Sequence, residues 1–118
     1  MNGYNYFKMN IQLSIFQLGS FVTLKKSFLG EPEGTICYVY ENYDKPGISG
    51  ISLLTQNGKD LGGFNIDEQS EYLEYYGDTG LVYGFTSVSQ LYTDIQNGVF
   101  DFFLKDPTKY KYDLSSRR

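Results

Sequence analysis

Carboxylates and tyrosines are concentrated in residues 67–78, the most distinctive segment of the chain. Its glutamates recur every third residue, so on a helix they would form an acidic band with tyrosines beside it. A tyrosine ring offers a rigid apolar body with a polar tip and loses little side-chain entropy on binding. The candidate site residues are Glu68, Glu71, Tyr72, Glu74, Tyr75 and Tyr76. This pattern favours an acidic, aromatic patch that binds a basic protein partner, because complementary rim charges speed encounter.

The loop after a predicted strand carries a second candidate site, formed by Glu41, Tyr43 and Asp44. Pro46 follows and predicts a loop. Loops held by a rigid scaffold often carry binding residues, which favours a role in docking. The alternative for this segment is ordinary loop structure. For residues 67–78 the alternative is a solvated helix face with some tyrosines turned to the core.

Side chains for catalysis and metal binding are scarce. The chain has no histidine and a single cysteine, Cys37. Histidine is the common proton-transfer group near neutral pH and, with cysteine, supplies most zinc ligands. No spacing singles out the carboxylate pair that glycoside hydrolysis needs, and the sequence has neither a phosphate-binding glycine motif nor a calcium-loop motif. We therefore expect a non-enzymatic protein with no cofactor and no metal.

Charge is distributed unevenly along the chain, whose net charge is −4. Residues 41–101 contain ten acidic residues and two lysines, Lys45 and Lys59, whereas the flanking parts are net basic. The acidic middle would repel a phosphate backbone, so we do not expect it to bind nucleic acid. Alternatively, these acids serve only to keep the domain in solution.

A chain of 118 residues predicts one domain, which we place at residues 1–104. Residues 105–118 contain five bases and Pro107 and are expected to form a flexible basic tail. No apolar run approaches the roughly 20 residues that span a bilayer. No secretory signal is visible before Met9, which is an alternative start to Met1. The single cysteine fits a reducing, cytoplasmic location.

Alternating polarity and runs of β-branched and aromatic residues predict seven strands. They cover residues 11–15, 21–25, 35–40, 51–55, 60–64, 81–85 and 99–104. A helix is predicted over residues 68–76, with Asn65 or Asp67 as its N-cap and Gly77 just past its end.

A second helix is predicted after Ser87, which forms a capping-box pattern with Gln90, and it ends at Gly98. Between the strands at 51–55 and 60–64, an Asn-Gly pair predicts a hairpin with a type I′ turn. The paired glycines at positions 62 and 63 predict a bulge or a sharp bend in the returning strand.

Two glycine-led segments resemble the opening of SH3-like barrels of the KOW and Tudor kind. They are Gly19-Ser20-Phe21-Val22-Thr23-Leu24 and Gly34-Thr35-Ile36-Cys37-Tyr38-Val39-Tyr40. The resemblance covers residues 18–66 and implies a five-stranded barrel that binds peptides, proteins or nucleic acid through loops and exposed aromatic residues. The predicted fold class is therefore α+β, with a small, strongly bent antiparallel sheet or SH3-like barrel and two short helices.

These features favour a protein-binding module of the kind that a bacterial or phage immunity protein or inhibitor uses to block a basic surface. One alternative is an SH3-like reader of nucleic acid or peptide, which stacks bases on exposed rings and contacts phosphates with basic residues. Those residues are Lys25, Lys26, Lys105, Lys109, Lys111, Arg117 and Arg118. Further alternatives are a homo-oligomer subunit with aromatic residues at its interface and a barrel that binds a small ligand.

Overall fold

A computed structural model describes residues 12–112 of the chain. Its elements, in chain order, are β1 Ser20–Leu24, β2 Ile36–Asn42, β3 Gly50–Thr55, β4 Asp60–Asn65, α1 Ile66–Tyr72, β5 Leu73–Asp78, α2 Val88–Gln96 and α3 Asp101–Leu104.

The five strands form one antiparallel sheet in the order β4-β3-β2-β1-β5. Strands β1 to β4 form a meander in which each strand pairs with the next, and β5 returns beside β1. The α+β class and the antiparallel sheet are confirmed, with three short helices where two were predicted. Within residues 12–112 the sheet is open and has β4 and β5 as its edges, so it is not a closed barrel.

The hairpin at the Asn-Gly pair is confirmed, but its turn type differs from the prediction. Gly58 has a φ of +81°, whereas Asn57 is not in the positive-φ region that a type I′ turn requires. The Gly58 N–H donates to the Thr55 carbonyl at 2.9 Å, and the Thr55 N–H donates to the Lys59 carbonyl at 2.8 Å. The loop is thus a type I turn followed by a left-handed glycine. The Thr55 hydroxyl supports it by accepting from the N–H groups of Asn57 and Lys59.

The bulge predicted in the returning strand is confirmed. Gly62 pairs with Leu53, but the next residue of β3, Leu54, pairs with Asp60, so Leu61 is the extra residue. Gly62 has a φ of +76°, which a residue with a side chain rarely adopts.

The sheet buries both of its faces. Side chains alternate along β2, so Val39 lies on one face and Tyr38 and Tyr40 lie on the other. The first face carries what we name the aliphatic core: Val22, Leu24, Cys37, Val39, Ile51, Leu53, Leu61, Phe64 and Leu73. The second carries the aromatic core: Phe21, Ile36, Tyr38, Tyr40, Leu54, Leu91, Phe100 and Phe103. Helices α2 and α3 supply Leu91 and Phe103, so the C-terminal third of the chain covers the second face.

Several rings that could have formed an outer docking face are packed in the aromatic core. The Phe21 ring centroid lies 5.0 Å from that of Phe103 and 5.4 Å from that of Tyr38. Tyr38 meets Phe102 edge to face at 5.6 Å. Its hydroxyl donates to the Leu81 carbonyl at 2.6 Å, which satisfies the one polar atom of this buried ring.

A strand was predicted over residues 11–15. Residue 11 lies outside the described residues, and the prediction is wrong for residues 12–15, which are irregular. The Ser14 N–H donates to the Asp44 carboxylate at 2.8 Å, and the Ile15 N–H donates to the Gln69 side-chain oxygen at 2.8 Å. Because side chains satisfy these amides, the segment does not join the sheet.

The strand predicted over residues 81–85 is also wrong, since the segment is irregular. Tyr83 and Phe85 pack against the aromatic core, whereas Leu81 and Val82 are exposed. The alternation therefore reflects burial on one side. In the described residues no strand pairs with this segment.

The last predicted strand, residues 99–104, contains the short helix α3 instead. Phe100 and Phe103 are both fully buried, and their separation of three residues suits a helical turn. A short apolar run does not by itself distinguish a strand from a helix. In this protein the helical turn places both Phe100 and Phe103 in the aromatic core.

The first helix begins close to the predicted position. Asn65 is its N-cap: the Asn65 side chain accepts the Glu68 N–H at 2.8 Å, and the Glu68 carboxylate accepts the Asn65 N–H at 2.9 Å. This reciprocal pair is a capping box, which satisfies two amides that the first helical turn leaves without partners.

The end of this helix was predicted wrongly. Helix α1 stops at Tyr72, and Leu73 begins β5, so Gly77 is a strand residue and not the residue after a helix. Leu73 is 3% exposed and pairs with Leu24 of β1. Burial in the aliphatic core and pairing with β1 override the three-residue recurrence of the glutamates, because tertiary contacts outweigh local propensity.

The second helix is confirmed as α2. The Ser87 hydroxyl accepts the Gln90 N–H at 3.1 Å, as predicted for the cap. The Gln90 side chain does not complete the capping box, because it donates to Asp94 at 2.9 Å one turn further along. Leu91 anchors the helix and is fully buried.

The chain beyond Leu104 contacts the sheet as far as residue 112. Tyr110 stacks on Phe21 with ring centroids 5.3 Å apart, and Lys111 forms an isolated bridge with Gly77 of β5. The predicted domain boundary at residue 104 stays a prediction, and residues 113–118 of the predicted tail lie outside the described residues.

Candidate functional site

Helix α1 and strand β5 carry five acidic residues and no basic residue between positions 66 and 78. We name these residues the acidic edge: Asp67, Glu68, Glu71, Glu74 and Asp78. All are exposed except Glu68, which is half-buried. Strand β5 is the outermost strand of the sheet, so these side chains lie along one side of the molecule.

Two of the predicted glutamates are engaged within the protein. Glu68 completes the cap of α1. Glu71 lies 2.8 Å from the Lys26 ammonium, and this hydrogen bond raises the pKa of Lys26. Both partners of the ion pair are about half exposed, so it contributes little to stability. Within residues 12–112, the exposed Glu74 carboxylate has neither a hydrogen bond nor an ion pair, and it is the predicted side chain most available to a partner.

Tyr72 is a packing residue more than a docking residue. Its ring meets Phe28 edge to face at 5.1 Å and lies against the aliphatic core. The Lys26 ammonium lies 4.9 Å from the ring centroid, a distance suited to a cation–π contact.

Tyr75 and Tyr76 are consecutive residues of β5, so their side chains leave opposite faces of the strand. Tyr76 packs against the aromatic core. Tyr75 is 46% exposed and meets Tyr112 edge to face at 6.1 Å. Partial burial raises the pKa of both hydroxyls, assisted by Asp78 for Tyr75 and by Asp106 for Tyr76. The single helical face predicted for the three tyrosines is not formed.

Asp44, predicted to contact a partner, is occupied by the protein's own groups. Its carboxylate accepts the Ser14 N–H at 2.8 Å, the Ser14 hydroxyl at 2.6 Å, the Asn42 amide at 3.1 Å and the Gly50 N–H at 3.0 Å. Burial would raise the pKa of Asp44, but these hydrogen bonds outweigh it and hold the pKa below its ordinary value. Asp44 therefore ties the segment before β1 to the β2–β3 loop.

The other two residues of the second candidate site also face their own sheet. Tyr43 lies across Gly50 and Gly63, where a Cβ atom would come within 2.2 Å and 2.3 Å of its hydroxyl oxygen. The glycines thus form the seat of the ring. Glu41 accepts the Ser52 hydroxyl at 2.9 Å. Glu41, Tyr43 and Asp44 therefore all contact other residues of the protein and do not form an exposed loop.

A groove that the sequence did not indicate separates the β2–β3 loop from the start of α1. It has a volume of about 620 Å³. Its lining residues are Gln12, Gly47, Ile48, Ser49, Asn65, Ile66 and Asp67. The acidic edge thus begins at the rim of this groove with Asp67.

Gln69 is a central structural residue that sequence reasoning missed. It is fully buried although it lies in a polar stretch of α1. Its side-chain oxygen accepts the Ile15 N–H at 2.8 Å, and its amide donates to the Ser14 hydroxyl and to the Phe64 carbonyl. Ser14 and Ile15 are more than fifty positions away, so no local pattern marks Gln69 as buried.

The nucleophilic and metal-ligating groups in the described residues are dispersed. Residues 12–112 contain no group of three or more Cys, Asp and Glu side chains arranged to hold a metal ion. Cys37 is buried in the aliphatic core, and burial, assisted by Glu31, raises the pKa of its thiol to about 12. The thiol is therefore protonated near neutral pH and is not a nucleophile there.

None of the helices in residues 12–112 has the length and apolar character needed to cross a membrane.

Comparisons with protein-family models, with curated proteins and with solved structures returned no match for this chain.

Proposed function

We propose that this protein is a non-enzymatic binding module that presents its acidic edge to a basic surface of a protein partner. The supporting observation is the set of carboxylates at Asp67, Glu74 and Asp78. All three are exposed, and within residues 12–112 none of them forms an ion pair. Asp78 lies close enough to Tyr75 to act on its hydroxyl, so this part of the acidic edge combines charge steering with the apolar contact area of a half-exposed ring.

A role as an immunity protein or inhibitor follows from this chemistry. An acidic protein that covers a basic surface blocks whatever that surface binds, and complementary charge speeds the association. A cytoplasmic location and a bacterial or phage source belong to the same proposal.

The test is a pair of matched charge reversals. Glu74→Lys alters a carboxylate that has no internal partner in the described residues, whereas Glu68→Lys and Glu71→Lys would also disturb the helix cap and the Lys26 pair. Glu33→Lys, at an exposed site in the β1–β2 loop, makes the same change of charge away from the acidic edge.

Tagged wild-type protein should capture a basic protein from lysate at low salt. Glu74→Lys should weaken its binding about three- to tenfold in a titration, while Glu33→Lys should leave it near the wild-type value. The difference should shrink as salt rises, because salt screens exposed charges. Equal binding by the two variants, or capture of no protein, would contradict the proposal.

The alternative of an SH3-like reader of nucleic acid or peptide has less support. The resemblance implies a closed barrel, whereas the sheet within residues 12–112 is open, and the resemblance stays a prediction. Stacking on nucleic-acid bases needs exposed rings, and many of the rings are in the aromatic core. Of the basic residues, Lys26 is paired with Glu71, and the Lys25 ammonium donates to the Ser70 carbonyl.

A further inference from the structure

The segment after α3, residues 105–112, lies against β5, and we name it the strap. Lys111 bridges Gly77 in antiparallel fashion, and the Tyr112 N–H donates to the Tyr76 carbonyl at 2.8 Å. Strand β5 pairs with β1 on its other side. The strap therefore occupies the outer edge of the sheet, where it takes the place of an added strand.

The strap is seated by one aromatic ring. Tyr110 stacks on Phe21 of the aromatic core at 5.3 Å with an angle of 16° between the ring planes, and it meets Phe102 edge to face at 6.2 Å. The Lys109 ammonium lies 5.5 Å from the Tyr110 ring centroid. The seat formed by Phe21 and Phe102 thus accepts a flat ring.

Gly77 makes this seat possible. A Cβ atom at this position would lie 1.7 Å from the Tyr110 carbonyl oxygen and 2.8 Å from the carbonyl carbon. Both atoms belong to backbone, so neither can move aside by a change of rotamer. The glycine at the outer edge of β5 is therefore a specific point of close approach for a second backbone.

The two segments carry opposite net charge. The strap carries Lys105, Lys109 and Lys111 with Asp106, and β5 carries Glu74 and Asp78. Lys105 pairs with Asp101 of α3 at 3.3 Å, and residues 107–110 form a turn before the chain bridges β5 at Lys111. The strap thus presents a lysine- and tyrosine-containing segment whose end runs antiparallel to β5.

The strap is attached more loosely than the strands of the sheet. Among residues 12–112 its pairing with β5 is one isolated bridge, whereas β1 pairs with β5 over five positions, and Lys109 and Lys111 are exposed. Segments with few buried contacts and exposed backbone hydrogen bonds open at a lower free energy than the core.

We propose that the strap is a displaceable internal occupant of a strand-addition site on β5, and that the site receives an extended, lysine- and tyrosine-containing segment of a protein partner. Strand addition of this kind draws affinity from backbone hydrogen bonds and specificity from a side-chain pocket, here the Phe21 seat. This inference rests on the proposed function, because it assigns the partner segment to the acidic edge.

The test uses the full chain and a labelled peptide with the sequence of residues 105–112. In Tyr110→Ala the chain's own strap loses its ring, so the seat is open to the peptide in trans. Peptide binding, followed by fluorescence anisotropy, should be roughly tenfold or more tighter than to wild type, because the wild-type site is already filled. Adding Gly77→Val should abolish the gain, and Tyr92→Ala, at an exposed tyrosine on α2, should not produce one.

Two further measurements keep the test decisive. Tyr112→Pro removes the N–H that donates to Tyr76 and the ring that meets Tyr75, and it leaves the half-buried ring of Tyr110 in place, so it should raise peptide binding even if Tyr110→Ala fails to fold. A peptide with serine in place of the first tyrosine should bind weakly to every variant. Equal peptide binding by wild type and both strap variants would overturn the proposal, as would sedimentation of the variants as dimers that exchange straps.

The two proposals fail in different ways. If Glu74→Lys weakens binding of the captured partner but no strap variant gains peptide binding, the proposed function is supported and the strap proposal is wrong. If the strap variants bind the peptide but Glu74→Lys changes the affinity for neither the peptide nor the partner, the proposed role of the acidic edge is wrong, and so is the assignment of a partner segment to it.

Discussion

At the scale of single residues, the polar side chains that matter most here serve the fold. Asp44 gathers four donors from three parts of the chain, and Gln69 bonds to Ser14, Ile15 and Phe64. A buried or half-buried polar group left without partners costs more than the hydrogen bond contributes when it is made. These two residues therefore fix the segment before β1 against the β2–β3 loop and α1.

We expect Asp44→Asn to lower the free energy of unfolding at pH 7 by about 1–2 kcal/mol. The substitution replaces one carboxylate oxygen by an NH₂ group, which cannot accept the N–H and O–H hydrogen bonds that this oxygen accepts in wild type. Urea unfolding measures this change. Glu33→Gln, which neutralises an exposed carboxylate in the β1–β2 loop, is the matched control and should be nearly neutral.

The pH dependence of Asp44 gives a second measurement. Its pKa is lowered in the folded protein from an ordinary value of 3.8, so its stabilising effect is present above that value and is lost as pH falls through the folded pKa. The difference between wild type and Asp44→Asn should shrink in acid. A difference that stays constant down to pH 2 would show that the carboxylate charge is not what holds Ser14.

At the scale of elements, the secondary structure of residues 66–78 depends on tertiary contacts. The acidic and aromatic residues favour a helix by spacing, and the first turn is indeed helical with a complete capping box. Leu73 then enters the aliphatic core and pairs with β1, so the second half becomes a strand. This change moves Tyr75 and Tyr76 to opposite faces and reduces the predicted patch to the acidic edge.

The two helix caps should differ in strength. Asn65→Ala removes the side chain that accepts the Glu68 N–H, and it leaves the bond from the backbone N–H of residue 65 to the Glu68 carboxylate without its reciprocal partner; it should cost about 1 kcal/mol of unfolding free energy. Ser87→Ala removes a cap in which the Gln90 side chain takes no part, and it should cost less. Urea unfolding of both variants compares them directly. An equal or larger loss for Ser87→Ala would contradict the assigned geometry.

At the scale of the whole molecule, one sheet separates two cores. The aliphatic core lies on one face, and the aromatic core on the other is covered by α2, α3 and the strap. The abundance of tyrosine and phenylalanine is thus explained mainly by internal packing. What remains for recognition is the edge of the sheet and its charge.

The aromatic core should make the protein sensitive to alkali. Burial raises the pKa of Tyr38 from its ordinary 10.0 to about 12 and raises that of Tyr40 as well. A raised folded pKa means that the stabilising effect is complete below pH 10 and is lost as pH rises toward 12. Unfolding free energies measured between pH 8 and pH 12 should therefore decline.

Tyr38→Phe isolates one contribution to this decline. The variant should be about 1 kcal/mol less stable at pH 8, because it loses the hydrogen bond to the Leu81 carbonyl, and its loss of stability with rising pH should be shallower than in wild type. Tyr92→Phe, at a half-exposed position, should behave as wild type. An identical decline in both variants would mean that Tyr38 does not carry the effect.

Local patterns predicted much of this fold. The strands of the meander, the Asn-Gly hairpin, the Gly62 bulge and the Ser87 cap depend on interactions within a few residues, and each was located from the sequence. The type of the hairpin turn was missed, because the Thr55 side chain supports a turn that the Asn-Gly pair alone does not indicate.

Part of the candidate site is used by the fold, and the role of its residues in binding stays a prediction. Glu71 and Glu74 are exposed, whereas Asp44, Tyr43 and Tyr72 make internal contacts. Each of these three has a partner at least twenty positions away in the sequence, so no spacing reveals the contact. The groove beside α1 and the burial of Gln69 were missed for the same reason.

The amino-acid sequence by itself determined the local elements, the charge and the supply of rings, because these depend on residue type and short spacing. Tertiary structure alone decided that residues 73–78 form an edge strand, that residues 99–104 turn helical, and that the strap covers that edge. Those outcomes depend on burial and pairing between distant segments, whose free energies exceed the local preferences they override.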